Sequence, residues 1–359
     1  MEQHVITPNR NVWQKFWQSR WTRFFVIILG LLYFSAGTGP FLAPYNEAEI
    51  SLPDAYHPPT RIIWSKQGLA VQKYELVDKA QRRFEPLPNQ HEPIVWFVQG
   101  SEYRWFGLWH CRWHLFGTSG KAKIYLLGAD SFGRDVFSRL LYGAGVSLSI
   151  GLVGIAITTT LGLILGGIAG YAGGRLDWLL MRGTEVLMSI PALYLILAVR
   201  SVFVEKLSPT QIYLMIIVIL SFISWASMAR VIRGMVLSLR ERDFVKAARV
   251  MGQSHWKILL RHILPNTWSY VIVACTLSVP GYILGEAALS FLGLGIQDPQ
   301  ASWGLMLAQA QSLRVLVSFW WMLLPGVMIS ITVMTFNFIG DALRDALDLL
   351  DNIQEVKKV

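Results

Sequence analysis

Residues 243–266 read DFVKAARVMGQSHWKILLRHILPN, a basic, half-polar stretch set between two runs, Ile212–Met228 and Trp268–Leu284, that are apolar enough for a bilayer. Its local chemistry is that of two short helices joined by a turn. Gly252 suits the left-handed position that ends one helix, Ser254 can cap the next, and Pro265 cannot continue it. Arg242, Lys246, Arg249, Gln253 and Lys257 recur at spacings of three or four, which leaves Phe244, Ala247, Ala248, Met251, Leu259 and Ile263 for a buried side. The small Ala247 and Ala248 would let another backbone come close. The same pattern also suits a basic amphipath lying on anionic lipid.

Composition decides the solvent. Of 359 residues, 53% are hydrophobic and only 15% charged, well below the quarter or so of a soluble domain. Six runs approach the roughly 20 residues that cross a bilayer core: Phe24–Phe41, Val146–Tyr171, Val186–Val204, Ile212–Met228, Trp268–Leu284 and Val315–Ile339. We therefore expect an all-α polytopic membrane protein with six transmembrane helices. With the N-terminus inside, the cytoplasmic segments carry 17 Lys and Arg, whereas the two short outer loops carry only Lys206 and Arg314. That asymmetry puts both termini in the cytoplasm by the positive-inside rule, and it locates the formal +9 charge without invoking nucleic acid.

Two other segments stand out. Between residues 46 and 128, short aromatic and β-branched runs (RIIWS, PIVWFVQG, YRWFGLW, KIYLL) alternate with Pro, Gly and polar clusters, so a small, mostly β extracytoplasmic insert is expected between helices one and two. In SFGRDVFSRLLYG, the apolar residues from Phe132 to Leu141 share one helical face, which predicts a short helix on the outer surface, N-capped by Asp130 and ended by Gly143. WHCRWH (109–114) offers His110, Cys111 and His114, but the surrounding tryptophans favour a packed aromatic surface over a metal site. With only Cys111 and Cys275 in the chain, disulfide and redox chemistry are not expected.

The pattern KAARVMG…LP resembles the EAA loop of ABC importer permeases, the two-helix element that docks into a cytoplasmic ATPase. Ala247, Ala248, Gly252, Leu264 and Pro265 fall in register, and Lys246 stands where the pattern has Glu. LLGADSFGRDVFSRLLYG (126–143), ILGEAALSFLGLG (283–295) with SWG (302–304), and PGVMISITVMTFNFIGDALRDALD (325–348) are similar to blocks of the C-type subunit of dipeptide and oligopeptide importers. Leu349 and Leu350 depart from the usual Pro-Arg, and the insert is longer than the first outer loop of many members.

The resemblance implies a type I ABC importer fold divided as 1–45 (N-terminus and first helix), 46–128 (insert), 129–350 (permease core) and 351–359 (tail). It implies a heterodimer with a B-type permease, two cytoplasmic ATPases, an extracytoplasmic substrate-binding protein and residence in a bacterial inner membrane. Phe244, Lys246, Ala247, Ala248, Arg249, Gly252, Gln253, Ser254, His255, Leu264 and Pro265 would make the coupling surface.

The chain has no G-x-x-x-x-G-K-[ST] loop, so ATP and Mg are expected on the partners, with no cofactor and no catalytic residue here. Asp130, Arg134, Asp135 and Glu286 are candidates for an outer gate or a contact with the binding protein. Glu286 has a second reading as the cap of a short helix AALSFLGLG. Asn337, Asp341, Arg344, Asp345 and Asp348 read as a salt-bridge lattice at the inner end of helix six. An ion-coupled secondary transporter is the rival reading, opposed by the absence of an inverted repeat and of a mid-helix carboxylate.

Overall fold

The structure is a computed structural model that describes residues 8–65, 68–105, 109–118, 120, 122–191, 194–195, 197–198 and 207–356. Among these residues, five helical segments are long and apolar enough to cross a membrane: Arg20–Leu42, Val136–Ala172, Pro209–Leu239, His255–Phe291 and Trp320–Leu347. Nine of the nineteen residues of the expected span Val186–Val204, including all of 199–204, lie outside the described residues.

A short amphipathic helix α1 (Pro8–Gln18) leads into α2 (Arg20–Leu42), whose start is capped by Ser19. The helix α3 (Val136–Ala172) is the hub of the fold and packs against α2, against α5 (Pro209–Leu239) and against α8 (Trp268–Phe291). Between α3 and α5 lies α4 (Gly174–Ser189), tied to α5 by an ion pair between Asp177 and Arg233. Two short helices, α6 (Asp243–Val250) and α7 (His255–Ile258), precede α8, and α9 (Trp303–Ala308) and α10 (Leu313–Ser318) precede the last helix, α11 (Leu324–Val356).

Without a hydrophobic drive between helices in lipid, close packing needs small residues. On α3, Gly162, Gly166 and Gly170 recur every four residues and face α5; a Cβ added to Gly166 would stand 2.4 Å from the Ala229 carbonyl oxygen.

The insert forms a four-stranded antiparallel meander of β1 (Ile62–Ser65), β2 (Gly68–Asp78), β3 (Arg83–Trp105) and β4 (Trp109–Thr118). It is a β insert, as its turn-punctuated pattern predicts.

Three expectations need correction. No separate surface helix covers 132–142, because α3 runs unbroken through Gly143, which packs on Trp303. The run Val315–Ile339 is not one span: Phe319 interrupts it, and α11 begins at Leu324 with Pro325 in its first turn, where the missing N–H costs nothing. Asp341, Arg344 and Asp345 form no ion pair with one another; Lys15 instead donates to the Asp345 carbonyl.

Candidate functional site

The loop that opened the sequence reading is a helix–turn–helix. At the end of α6, the Gln253 amide donates to the Ala248 carbonyl and the Gly252 amide to that of Arg249, the pairing that closes a helix through a left-handed residue. Gly252 supplies that residue, with φ +74° and open space around its Cα. Ser254 occupies the N-cap position of α7 through its carbonyl, without a side-chain bond. After α7 the chain widens through a π-turn (Leu259–Ile263), then tightens through a 3₁₀ turn (Leu264–Thr267) with Pro265 at its start, and runs on into α8.

One side of this loop is locked to the membrane helices. Val245, Ala248, Ile258, Leu259 and Ile263 are buried with Met228, Ile232, Val236 and Val271 of α5 and α8. Arg249 lies over the Tyr171 ring at the end of α3, and the Tyr171 hydroxyl meets His255 Nδ1 at 3.0 Å. His262 donates to Gln253 across the turn. The other side is open and apolar, with Phe244, Val250, Met251 and Trp256 all exposed.

The sequence phase of α6 is therefore off by one position. Val245, not Phe244, faces inward, and Ala247 and Met251 are exposed where burial was expected, whereas Ala248, Leu259 and Ile263 are buried. Of the remaining candidates, Lys246, Arg249, Gly252, Ser254, His255 and Pro265 are exposed, and Gln253 and Leu264 are half-buried.

At the opposite end of α3, Asp130, Arg134 and Arg139 are buried together, with Asp298 as their half-exposed fourth member. Asp130 does not cap a helix. One of its oxygens accepts from the Phe132 and Arg134 amides, and the other accepts from Arg134 Nε at 2.7 Å. Arg134 also reaches Asp298, and Arg139 bonds Asp298 at 3.3 Å and the Glu47 carbonyl at 3.0 Å. The Glu47 carboxylate accepts from the Ala301 amide, so the knot joins the start of the insert, α3 and the loop after α8.

Asp135 is the true N-cap of α3, accepting from the Ser138 amide and hydroxyl through one oxygen while the other is buried without a partner. Burial drives its acidity down, so its pKa rises to about 7 against the opposing bonds from Ser138 and Phe137.

Glu286 lies inside α8, fully buried, and caps nothing. Its carboxylate accepts from Ser147 of α3 at 3.1 Å and from Ser290 one turn on at 2.7 Å. Ser147 in turn accepts the Trp303 amide, and the Trp303 indole donates to the Leu140 carbonyl. A carboxylate inside a membrane helix thus pins the segment 291–303 against α3, and the sequence reading missed both that position and its serine partners.

A groove of about 420 Å³ runs between α3, α5 and α8, lined by Thr158, Ser224, Ser227, Tyr270, Ser278 and Tyr282 together with aliphatic side chains and Gly281; among the described residues no charged side chain lines it. The sequence reading did not single out these residues; the only signal for them is the hydroxyl side chains at Ser224, Ser227, Tyr270 and Ser278 within otherwise apolar runs.

His110, Cys111 and His114 do not converge. His110 pairs with Glu102 at 2.6 Å, and the His114 ring is buried between the carbonyl oxygens of Ala43 and Ser101.

Residues 162–349 match the family model of the binding-protein-dependent transport system inner membrane component, and residues 7–59 match that of the N-terminal TM domain of oligopeptide transport permease C. The chain is 39% identical to the oligopeptide transport system permease protein OppC of Haemophilus influenzae over 240 residues, 67% of this chain and 75% of that one. It is 43% identical to the dipeptide transport system permease protein DppC of Bacillus subtilis over 222 residues, 62% and 67% of the two chains. Among solved structures it is similar to the inward-facing MetNI methionine ABC transporter, with a TM-score of 0.43 and 20% identity over 58% of this chain and 95% of that one.

Proposed function

Because the chain belongs to the binding-protein-dependent transport system inner membrane component family, we propose that it is the C-type permease of an importer for di- or oligopeptides, driven through residues 243–266 by ATPases in other chains. The observation that carries this reading is the two-sided loop. Its inner side is welded to α5 and α8, and its outer side presents Phe244, Val250, Met251 and Trp256 to a partner. Exposed apolar side chains flanked by Lys246 and Arg249 are the make-up of a protein interface core with a polar rim.

A push on this surface is delivered directly to the inner ends of α5 and α8, because the buried side leaves no slack between loop and helices. Those two helices and α3 line the hydroxyl-rich groove, which we take as this subunit's half of the path. Uncharged hydroxyls can exchange hydrogen bonds with any peptide backbone while holding no particular side chain, so the path is permissive and selection falls to the binding protein. In the assembly, a B-type permease completes the path, both termini and the loop are cytoplasmic, and ATP and Mg are held by two ATPase subunits. This chain performs no catalysis of its own.

Ala247→Trp tests the reading, because Ala247 is exposed and its replacement disturbs no internal packing. Peptide-dependent ATP hydrolysis by the reconstituted importer should fall about tenfold or more, as for a bulky block at an interface centre, with its melting temperature unchanged. Normal coupling in Ala247→Trp would make the loop a lipid anchor. Uptake by this chain alone under an ion gradient would establish the secondary-transporter reading.

A further inference from the structure

The β3–β4 hairpin is amphipathic with a period of two near its closed end. Tyr103 pairs with Cys111, Arg104 with His110 and Trp105 with Trp109, so aromatic and charged pairs alternate between the two faces. Glu102 bridges His110 and Arg112 on the charged face.

This end does not point away from the membrane. His114 touches the carbonyl of Ala43, just past the last turn of α2, whereas the Trp105 indole donates to the carbonyl of Gly37 and its ring lies parallel to that of Phe41. Six helical residues separate those two carbonyls, so the hairpin follows α2 inward for about 9 Å. It does so beside a helix that turns most of its surface outward: only 11% of the apolar window of α2 is buried, and Leu31 and Phe34 are exposed.

We propose that the ends of β3 and β4 at Trp105 and Trp109 lie at the outer leaflet, with these two indoles at the boundary between headgroups and acyl chains and Arg104 and Arg112 reaching lipid phosphates. The occupant of the exposed Trp109 face is lipid because the strand ends are packed on α2, a helix whose apolar surface is itself mostly exposed. Indole rings with a polar edge favour this depth, and arginine stems extend along apolar surface to keep their charge in the headgroup layer. The insert is thereby held at a fixed height and tilt over the outer mouth of the permease. The inference depends on α2 crossing the bilayer and is independent of what the importer carries.

The test places bimane on Trp109→Cys in a Cys111→Ser, Cys275→Ser background, with the importer assembled in phosphatidylcholine–phosphatidylglycerol vesicles. A second protein carries the label on Lys79→Cys, at the exposed turn between β2 and β3. Lipids brominated at carbons 6 and 7 should quench the Trp109→Cys label at least about twofold and leave the Lys79→Cys label unchanged, with iodide giving the reverse order. Labelling the native Cys111, two residues up the same face, repeats the measurement with the hairpin sequence intact, and bromolipid should quench it less than the label at position 109. Quenching of the Trp109→Cys label by iodide alone would place the hairpin in water, and protection from both quenchers would place it against a protein; either result overturns the proposal. ATP hydrolysis in the same vesicles reports separately on the importer reading.

Discussion

Asp298→Asn isolates what the outer polar knot contributes. Asp298 is the only member of the knot with substantial solvent access, 43% of its side chain, whereas Asp130, Arg134 and Arg139 retain 1%, 3% and 0%. Replacing it by Asn preserves shape and one acceptor but leaves Asp130 as the carboxylate in direct ion-pair contact with the two buried guanidiniums, the Glu47 carboxylate acting on them only through space. Removing one partner of a fully buried ion pair costs about 3–5 kcal/mol, because the charge left behind has no compensation. Water reaching the half-exposed site 298 screens the residual charge, so about 2 kcal/mol is the better figure there. Asp130→Asn, with no such access, should show the full cost.

At about 2–4 °C per kcal/mol, the purified importer should melt about 4–8 °C lower with Asp298→Asn, and lower still with Asp130→Asn. The double variant should lose less than the sum, since both changes act on the same two arginines. Equal or absent effects, or strict additivity, would refute the idea that this is one buried network. Unchanged melting with lost stimulation by the binding protein would instead make these residues a docking surface.

Two further outcomes follow from the same geometry. Asp135 has its folded pKa raised to about 7, so between pH ~4 and ~7 the folded state binds more protons than the unfolded one and stability declines as pH rises through that window. Asp135→Asn, an equally good N-cap, should flatten this slope and melt higher than the parent at pH 8; a slope that persists would assign the pH dependence elsewhere. On α3, Gly166→Ala should destabilise the complex more than Gly162→Ala. The added methyl meets the rigid Ala229 carbonyl at 2.4 Å in the first case and the flexible Met228 side chain in the second, and alanine's gain in helix propensity, about 1 kcal/mol, is common to both. Equal melting of the two would argue against a close α3–α5 backbone contact.

What the sequence revealed, and what it hid, divides by the range of the forces involved. Local chemistry was enough for the turn at Gly252, where a backbone conformation demands glycine, and for the meander, where Pro and Gly punctuate β-branched runs. Local chemistry misled at Gly143-Ala144-Gly145: small residues that would end a helix in water here let α3 continue in contact with Trp303 and α2. It misled again in α6, because a helix with one side locked to the membrane helices and apolar residues exposed on the other leaves periodicity without a unique phase.

Glu286 is the sharpest instance, since its place inside α8 becomes tolerable only through Ser147, 139 residues earlier, and Ser290 one turn later. A buried carboxylate with two hydroxyl donors is stable only while the segment from Gly293 to Ser302 stays seated, because the same serines hold the amides of Ile296 and Trp303. The network therefore couples the end of α8 at Glu286 to the end of α3 at Ser147, and any tilt of α8 must either carry α3 along or break the hydrogen bonds of a buried carboxyl group. The latter is expensive in a dry site. On the function proposed above, the hydrogen bonds of Glu286 would join movement at the 243–266 end of α8 to movement of α3 at its other end.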